Sequence, residues 1–261
     1  MGPEITRSTF SGRADAGGNF SDRVAQLLSR IEFRRADTDK RREAIFRLRY
    51  QAYTREGAIS PNSSGMFSDD YDETDNCYLF GLYIDDVLAS SLRLHVASRE
   101  RPLFPSLEVF RDLLQPELDA GKVLVDSTRF VADEALSRLH RGLPYATLRL
   151  CMLAAEHFHA HDLLAAVRAE HQAFYRRAFN HQLICEPRPY PQLVKPISLM
   201  TVHYPTAAAQ LYRRYPFFQS TPFERRTLFE RNPAAAHQTS PKLQGIRRRP
   251  FVDPPPARRA G

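Results

Sequence analysis

The sequence contains no tryptophan and no close pair of cysteines. Cys77, Cys151 and Cys185 are far apart and form no C-x-x-C motif, which excludes a dense disulfide framework and favours free thiols. No apolar run approaches the roughly 20 residues that a membrane-spanning helix requires. The first 18 residues are polar and lack the apolar core of a secretory signal. We therefore expect a protein without a transmembrane segment that resides in the cytoplasm.

The sequence also lacks the motifs of several large enzyme classes. It has neither a Walker sequence nor G-x-G-x-x-G, so no phosphate-binding motif indicates nucleotide hydrolysis or dinucleotide redox chemistry. The nucleophile elbow G-x-S-x-G is missing as well. Cys151 lies in an apolar segment, where a thiol stays protonated and is a poor nucleophile.

A metal site has one weak signal in this chain. His157 and His161 are one helical turn apart, on the same side of a helix, as zinc ligands often are. No third ligand stands at a suitable spacing, and histidines near a helix C-terminus are favoured by the helix dipole in any case. We predict no metal site and no permanently bound cofactor.

The excess of positive charge is concentrated in one segment. The chain has 261 residues and a formal net charge of +7, and the Pro-rich segment Ser240–Gly261 carries six basic residues against Asp253. Such a segment has too little apolar content to offset the entropy of ordering. We predict disordered tails at 1–18 and 236–261 around one domain at 19–235. A basic nucleic-acid or adaptor protein is the non-enzymatic alternative, although we expect no nucleic-acid partner.

Hydrophobic periodicity predicts an alternation of strands and helices. The predicted helices begin near Phe20, Lys40, Phe104, Tyr145 and Glu170, and the predicted strands are 31–35, 77–84, 87–94, 123–132, 163–168, 182–185 and 198–203. Asp85 and Asp86 join the second and third strands as a hairpin. This order predicts an α/β (α+β) fold with a mixed, mostly antiparallel central sheet and helices on both faces.

The stretch Val123–Ala132 is the most unusual strand, because it carries two opposite charges inside an apolar run. Asp126 and Arg129 are three residues apart and would point to opposite faces of a regular strand. A β-bulge would re-aim one of them, and bulges often lie beside active sites. We therefore predict a distorted strand that holds either a structural ion pair or a functional site.

A second polar pattern lies on the strand that begins at Val87. Ser91, Arg93 and His95 share one face, opposite a face of leucine and valine. For Ser91 and His95 we expect an ordinary solvated face, with a lined cleft as the alternative.

Four short segments stand in a recognisable order: Arg49–Tyr53, Asp69–Asp72, Leu92–Leu94 and Asp126–Phe130. In order and spacing they resemble the motifs of the acyl-homoserine-lactone synthases and their relatives, the long-chain N-acyl amino acid synthases. Both groups have the acetyltransferase-like GNAT fold. The lactone synthases usually carry a tryptophan after the first motif and a glutamate at the position of Asp126. Because this chain has neither, and because Glu186–Pro191 and Arg214–Glu224 resemble the other branch, we favour the N-acyl amino acid synthases.

The resemblance implies a site and a reaction. Two central strands would splay and expose backbone groups at Phe130 and Val131, along which an acyl-phosphopantetheine thioester lies. It implies the following roles: catalytic residues Asp126, Arg129 and Tyr175; substrate-binding residues Arg49, Asp69, Asp72, Arg93, Phe130 and Val131; and phosphopantetheine or carrier-binding residues Arg138 and Arg141. The expected partners are acyl carrier protein as acyl donor and an amino acid or similar amine as acceptor. Lactone synthesis from S-adenosylmethionine is the alternative reaction.

We also expect the six charged residues of these motifs to form one connected network that lines a cleft. Carboxylates paired with guanidinium groups stay ionised and hold a loop in place. The charges concerned are Arg49, Asp69, Asp72, Arg93, Asp126 and Arg129.

Overall fold

The computed structural model describes residues 19–190 and 193–230. These residues belong to one compact unit. The tails predicted at 1–18 and 236–261 lie outside the described residues. In the part of the chain that is described, no helix is long and apolar enough to cross a membrane.

Seven strands form one sheet. They are β1 (Ile31–Arg35), β2 (Cys77–Ile84), β3 (Val87–Ala97), β4 (Leu124–Ala132), β5 (Asp162–Val167), β6 (Gln182–Leu183) and β7 (Ser198–His203). Their order is β1-β2-β3-β4-β5-β7-β6. Within this sheet the β4–β5 pair is parallel and the other neighbours are antiparallel. The predicted mixed, mostly antiparallel sheet is therefore confirmed.

Helices cover both faces of the sheet. They are α1 (Phe20–Leu28), α2 (Asp39–Arg55), α3 (Pro105–Val109), α4 (Arg111–Asp119), α5 (Glu134–Leu139), α6 (Leu143–His157), α7 (Ala169–Phe179), α8 (Tyr204–Arg214) and α9 (Pro222–Phe229). The buried helix α6 packs with α1, α7, α8 and α9 in the largest apolar cluster. On the opposite face, Leu48 and Ala52 of α2 pack against Val131 of β4.

The hairpin between β2 and β3 turns at the predicted position. Asp85 and Asp86 have φ values of 49° and 64°. Positive φ at both central residues is the signature of a type I′ turn, whose twist matches that of the flanking strands.

Strand β4 is distorted and diverges from β5, as predicted. Its register with β3 shifts between Ser91 and Arg93, and Arg129 has a φ of 55°. A left-handed conformation costs a non-glycine residue about 1–2 kcal/mol. Pairing with β5 runs from Leu124 to Ser127 and stops there. The remaining half of β4 is therefore separated from β5.

Three parts of the secondary structure differ from the prediction, and one of them is the short helix α5, which was not predicted. The helix expected from Phe104 is two helices, α3 and α4, with a break at Phe110. No helix was predicted after His203, yet α8 and α9 follow β7. Arg149 of α6 holds this segment, because its guanidinium donates to the carbonyl oxygen of Phe217 at 2.6 Å and pairs with Glu224 at 2.5 Å.

Candidate functional site

A cavity of about 550 Å³ opens where β4 and β5 diverge. Its wall includes Tyr53, Arg55 and Glu56 of the α2 end, 127–132 of β4, Glu134 and Arg138 of α5, 166–168 at the end of β5, and His171, Phe174 and Tyr175 of α7. A pocket of this size lies within the range of ordinary small-molecule sites. Phe130 and Val131 lie on the wall, where the sequence predicted the thioester.

A buried ion-pair network stands beside this cavity. Arg49 pairs with Asp72 at 2.9 Å, and Arg93 bridges Asp72 at 3.1 Å and Asp69. Arg129 belongs to the same network, because it pairs with Asp69 at 2.7 Å. The structure therefore brings five of the six predicted charges together. It joins helix α2, the Asp-rich loop (residues 69–75) and strands β3 and β4.

The network keeps its carboxylates ionised. Burial raises the pKa of Asp69, but Arg93 and Arg129 more than offset this and hold its pKa well below the ordinary value. Asp72 behaves likewise, because burial raises its pKa while Arg49 and Arg93 bring it below the usual range. Such paired, buried carboxylates stabilise the loop that carries them and are poor bases.

Arg129 is the member of the network that reaches the cavity wall. Its guanidinium lies 4.5 Å from the ring centre of Phe67, 5.7 Å from Tyr53 and 5.8 Å from Tyr190. The left-handed backbone at Arg129 turns this side chain toward Asp69. The prediction that the whole network lines a cleft holds for Arg129 alone. The other paired charges are buried and do not line the cavity.

Asp126 is placed differently from the prediction. Its two oxygens accept hydrogen bonds from the backbone nitrogen of Ser106 at 3.1 Å and from the Ser106 hydroxyl at 2.8 Å. Burial raises the pKa of Asp126 to about 6, and the Ser106 bonds and the charge of Arg93 offset only part of this effect. The carboxylate is fully buried and does not line the cavity. It fixes α3 to β4, and its predicted catalytic role finds no support in this position.

The polar face of β3 is buried, so the expected solvated face is wrong. Ser91 and His95 have no solvent exposure. His95 Nε2 lies 3.0 Å from the carbonyl oxygen of Tyr71. Burial and Arg93 lower the pKa of His95 to about 3, which keeps the imidazole neutral.

Tyr175 contributes to the cavity wall from α7, as the resemblance implied. Burial raises its pKa above the ordinary value, so the phenol keeps its proton and can act as an acid. Cys151 lines a small neighbouring cavity together with Tyr175 and Ser127. Burial raises the pKa of the Cys151 thiol to about 12, in agreement with a structural thiol.

The basic residues predicted to bind the donor lie at and beside the mouth of the cavity. Arg138 lines the cavity and pairs with Glu134, and its side chain is 79% exposed. Arg141 is exposed in the connection to α6 and does not line the cavity. Pro144, in the first turn of α6, lies on the wall, so a helix N-terminus borders the mouth.

Sequence reasoning missed four charged groups of the wall. Glu56 of the α2 end pairs with Arg168 at 2.5 Å, and Arg55 lies 3.6 Å from Glu134. Arg168 in turn donates to His171 at 2.9 Å. In the sequence these look like ordinary surface charges, and the one available signal is that Arg168 directly follows a buried strand.

The predicted absence of a metal site stays a prediction. Within residues 19–190 and 193–230, no group of three or more His, Cys, Asp or Glu side chains could hold a metal ion. His161 instead accepts a hydrogen bond from the backbone nitrogen of Val123 at 3.0 Å through Nδ1.

Comparison with known proteins decides the family. The family model of the N-acyl amino acid synthase FeeM matches residues 44–203. The chain belongs to this family. Membership makes it an N-acyltransferase, and the matched range contains both the ion-pair network and the cavity wall from Ala52 to Ile197. No curated protein matches the chain.

Solved structures of this family and of lactone synthases share the fold. FeeM from uncultured soil microbes has a TM-score of 0.59 at 19% identity, covering 69% of this chain and 94% of that one. TofI, solved in a ternary complex with an inhibitor and MTA, has a TM-score of 0.54 at 15% identity, covering 73% and 100%. The acyl-homoserine-lactone synthase LasI has a TM-score of 0.50 at 16% identity, covering 66% and 88%.

Proposed function

We propose that this N-acyltransferase moves a fatty acyl group from the phosphopantetheine thioester of acyl carrier protein to the amino group of an amino acid. The observation that carries the proposal is the cavity of about 550 Å³ between the diverging strands β4 and β5. It offers Arg138 at the mouth, apolar and backbone groups along 130–132 of β4, and charged side chains at the ends of α2 and β5. An extended thioester with a charged phosphate at one end fits this division.

The separated half of β4 would bind the thioester through its backbone. Beyond Ser127, β4 no longer pairs with β5, so the strand can offer peptide groups to the donor arm. Backbone N–H groups near Phe130 and Val131 would stabilise the oxyanion that forms when the amine attacks the carbonyl carbon. Tyr175 would supply the proton that the departing thiolate needs, since burial keeps its phenol protonated.

The ion-pair network would act as the frame of this site. Asp69 pairs with Arg129 at the cavity wall and also with Arg93. The position of the Arg129 guanidinium therefore depends on the loop that carries Asp69 and on strands β3 and β4. Arg49 and Asp72 extend the same frame to α2. A charge fixed in this way, as Arg129 is at the wall, can orient a substrate without moving during the reaction.

The mouth of the cavity suits an acidic carrier. Arg138 and Arg141 are exposed beside the first turn of α6, and helix N-termini favour phosphate groups. Complementary charge raises association rates and loses its effect as salt is added. The proposed roles of Arg138 and Arg141 are therefore to bind the phosphopantetheine phosphate and the acidic surface of the carrier.

The decisive assay uses the purified full chain with acylated carrier protein, the twenty standard amino acids and, separately, S-adenosylmethionine. Mass spectrometry should detect N-acyl amino acids and release of the free carrier thiol. Formation of N-acyl lactones alone would contradict the proposal and support the lactone synthases' reaction. A parallel reaction with acyl-coenzyme A should be slower, because it lacks the carrier surface.

One pair of variants tests the site itself. Tyr175→Phe should lower turnover about 10²-fold, the size expected for a lost proton donor, and leave thermal unfolding unchanged. Tyr83→Phe is the matched control, because Tyr83 is also buried but lies on β2 and is not part of the cavity wall. Equal activities for the two variants would exclude Tyr175 as the acid.

A further inference from the structure

Acylation of an amino acid needs a base, because an ammonium group has no lone pair for attack. Asp126 does not reach the cavity, since both of its oxygens are held by Ser106. Glu134 lies on the wall but pairs with Arg55 and Arg138. His171, also on the wall, carries an imidazole lone pair that accepts a hydrogen bond from Arg168.

His171 stands in a suitable place on α7. It precedes Tyr175 by four residues, so the two side chains share one face of the helix and both line the cavity. Arg168 Nη2 donates to His171 Nε2 at 2.9 Å, so Nε2 carries the lone pair and the ring is neutral. The neutral imidazole is the form that can accept a proton.

Arg168 is held in the wall by two carboxylates, those of Glu56 and Glu170. Its side chain is 12% exposed, and Nη2 pairs with Glu56 at 2.5 Å. Glu56 belongs to the end of α2, while Arg168 directly follows β5. Arg168 Nε also lies 3.3 Å from Glu170 Oε1. A guanidinium that already binds carboxylates beside an open cavity can exchange one of them for another of the same chemistry.

We propose that Arg168 and His171 form the acceptor site for an α-amino acid. The carboxylate of the acceptor takes the Arg168 N–H groups that now bind Glu56 and His171, and the Nε2 lone pair that this releases accepts a proton from the ammonium group on the same carbon atom. This inference rests on the proposed function and names the residues that select its acceptor.

The protons and bonds of the reaction balance. His171 takes one proton from the ammonium group, and the freed lone pair attacks the thioester carbonyl carbon. The C–N bond forms and the C–S bond breaks as the intermediate collapses. The second proton of the nitrogen passes to the sulfur through the Tyr175 hydroxyl, giving amide and free thiol. His171 then releases its proton to water.

Charges around His171 set its protonation. Burial lowers its pKa, and Arg168 lowers it further, while Glu170 and Glu56 raise it and Lys195 lowers it. The net direction is downward from the ordinary value of 6.5. The imidazole is therefore neutral at pH 7, and activity should fall only when the pH drops through this lowered pKa.

The first experiment compares each of the twenty amino acids with its decarboxylated amine, using the full chain and acylated carrier. The wild type should prefer the amino acids. Arg168→Gln should raise KM for the amino acids about 10- to 100-fold, the value of a lost charge-assisted hydrogen bond, and leave the amines unchanged. Arg34→Gln is the matched control, because Arg34 also binds two carboxylates but lies on β1. An equal effect on acids and amines would overturn the proposal.

A second variant should change KM for amino acids in the opposite direction. Glu56→Gln removes the carboxylate that competes with the acceptor on Arg168. KM for amino acids should therefore fall several-fold, whereas a purely structural ion pair would give an unchanged or higher KM. An increase in KM in a variant that unfolds at the parent's temperature would refute the exchange of carboxylates.

The base is tested by the pH profile of kcat/KM. His171→Gln should lower kcat about 10²-fold and remove the acidic limb of the profile. Persistence of that limb would exclude His171 as the base. If the wild type acylates no amine, the proposed function fails and this inference fails with it. If it acylates amines but these variants behave as the control does, the acceptor site alone is refuted.

Discussion

The environment of Asp126 predicts that a substitution of this buried residue raises the stability of the protein. Asp126→Asn keeps both contacts to Ser106, because the asparagine oxygen can accept from the backbone nitrogen and its amide can donate to the hydroxyl. What the substitution removes is a charge that is fully buried. We therefore expect the variant to be more stable than the parent at pH 7.

The size of the effect follows from the pKa. The pKa of Asp126 rises from 3.8 to about 6 in the folded protein. At 1.36 kcal/mol for each pH unit, ionisation destabilises the folded state by up to about 3 kcal/mol at pH 7. Because the folded chain holds more protons than the unfolded chain between these values, stability falls as pH rises through this window. For a domain of this size the gain corresponds to roughly 6–12 °C in Tm.

The assay is thermal and urea unfolding of both proteins between pH 4 and pH 8. The difference should be close to zero near pH 4, where Asp126 is protonated in the folded parent, and should reach its full size by pH 7. Turnover should fall by less than the roughly 10²-fold that marks a proton-transfer group. A variant that is less stable than the parent at pH 7, or a difference that does not change with pH, would refute this reasoning.

Further predictions address the frame, the docking surface, the thiol and the tail. Asp69→Asn removes the charge of the buried carboxylate that both Arg93 and Arg129 bind and should cost about 3–5 kcal/mol, measured by unfolding at pH 7; a loss below 1 kcal/mol would contradict the network. Arg141→Glu should weaken association with acylated carrier at low salt but not at high salt, with Arg34→Glu as control, and an unchanged affinity would place docking elsewhere. Alkylation of Cys151 should require unfolding, because the thiol is buried with a pKa of about 12; rapid alkylation of the native protein would show otherwise. Deletion of residues 241–261 should leave acyl transfer intact, whereas a nucleic-acid or adaptor protein would lose its binding.

Local patterns in the sequence were sufficient for most of the elements. Alternation predicted β2 and β3, and the paired aspartates predicted their turn, because a type I′ turn depends only on two adjacent residues. Hydrophobic periodicity likewise predicted the helix that begins near Tyr145, because it depends only on residues close together in the chain. Opposite charges within Val123–Ala132 predicted a distorted strand, because side chains three residues apart point to opposite faces of a regular strand.

The partners of the charges were decided by tertiary structure. Asp69 meets Arg129, which is 60 residues away, and Glu56 meets Arg168, which is 112 residues away; no local pattern encodes such pairs. Asp126 was expected to join the network, but the first turn of α3 supplies two donors and withdraws it from the cavity. The sequence by itself therefore determined the elements and the family motifs, which depend on neighbouring residues. Only the packing of α2, α3 and α7 on the splayed strands decided which charges face the cavity, because that depends on contacts between distant parts of the chain.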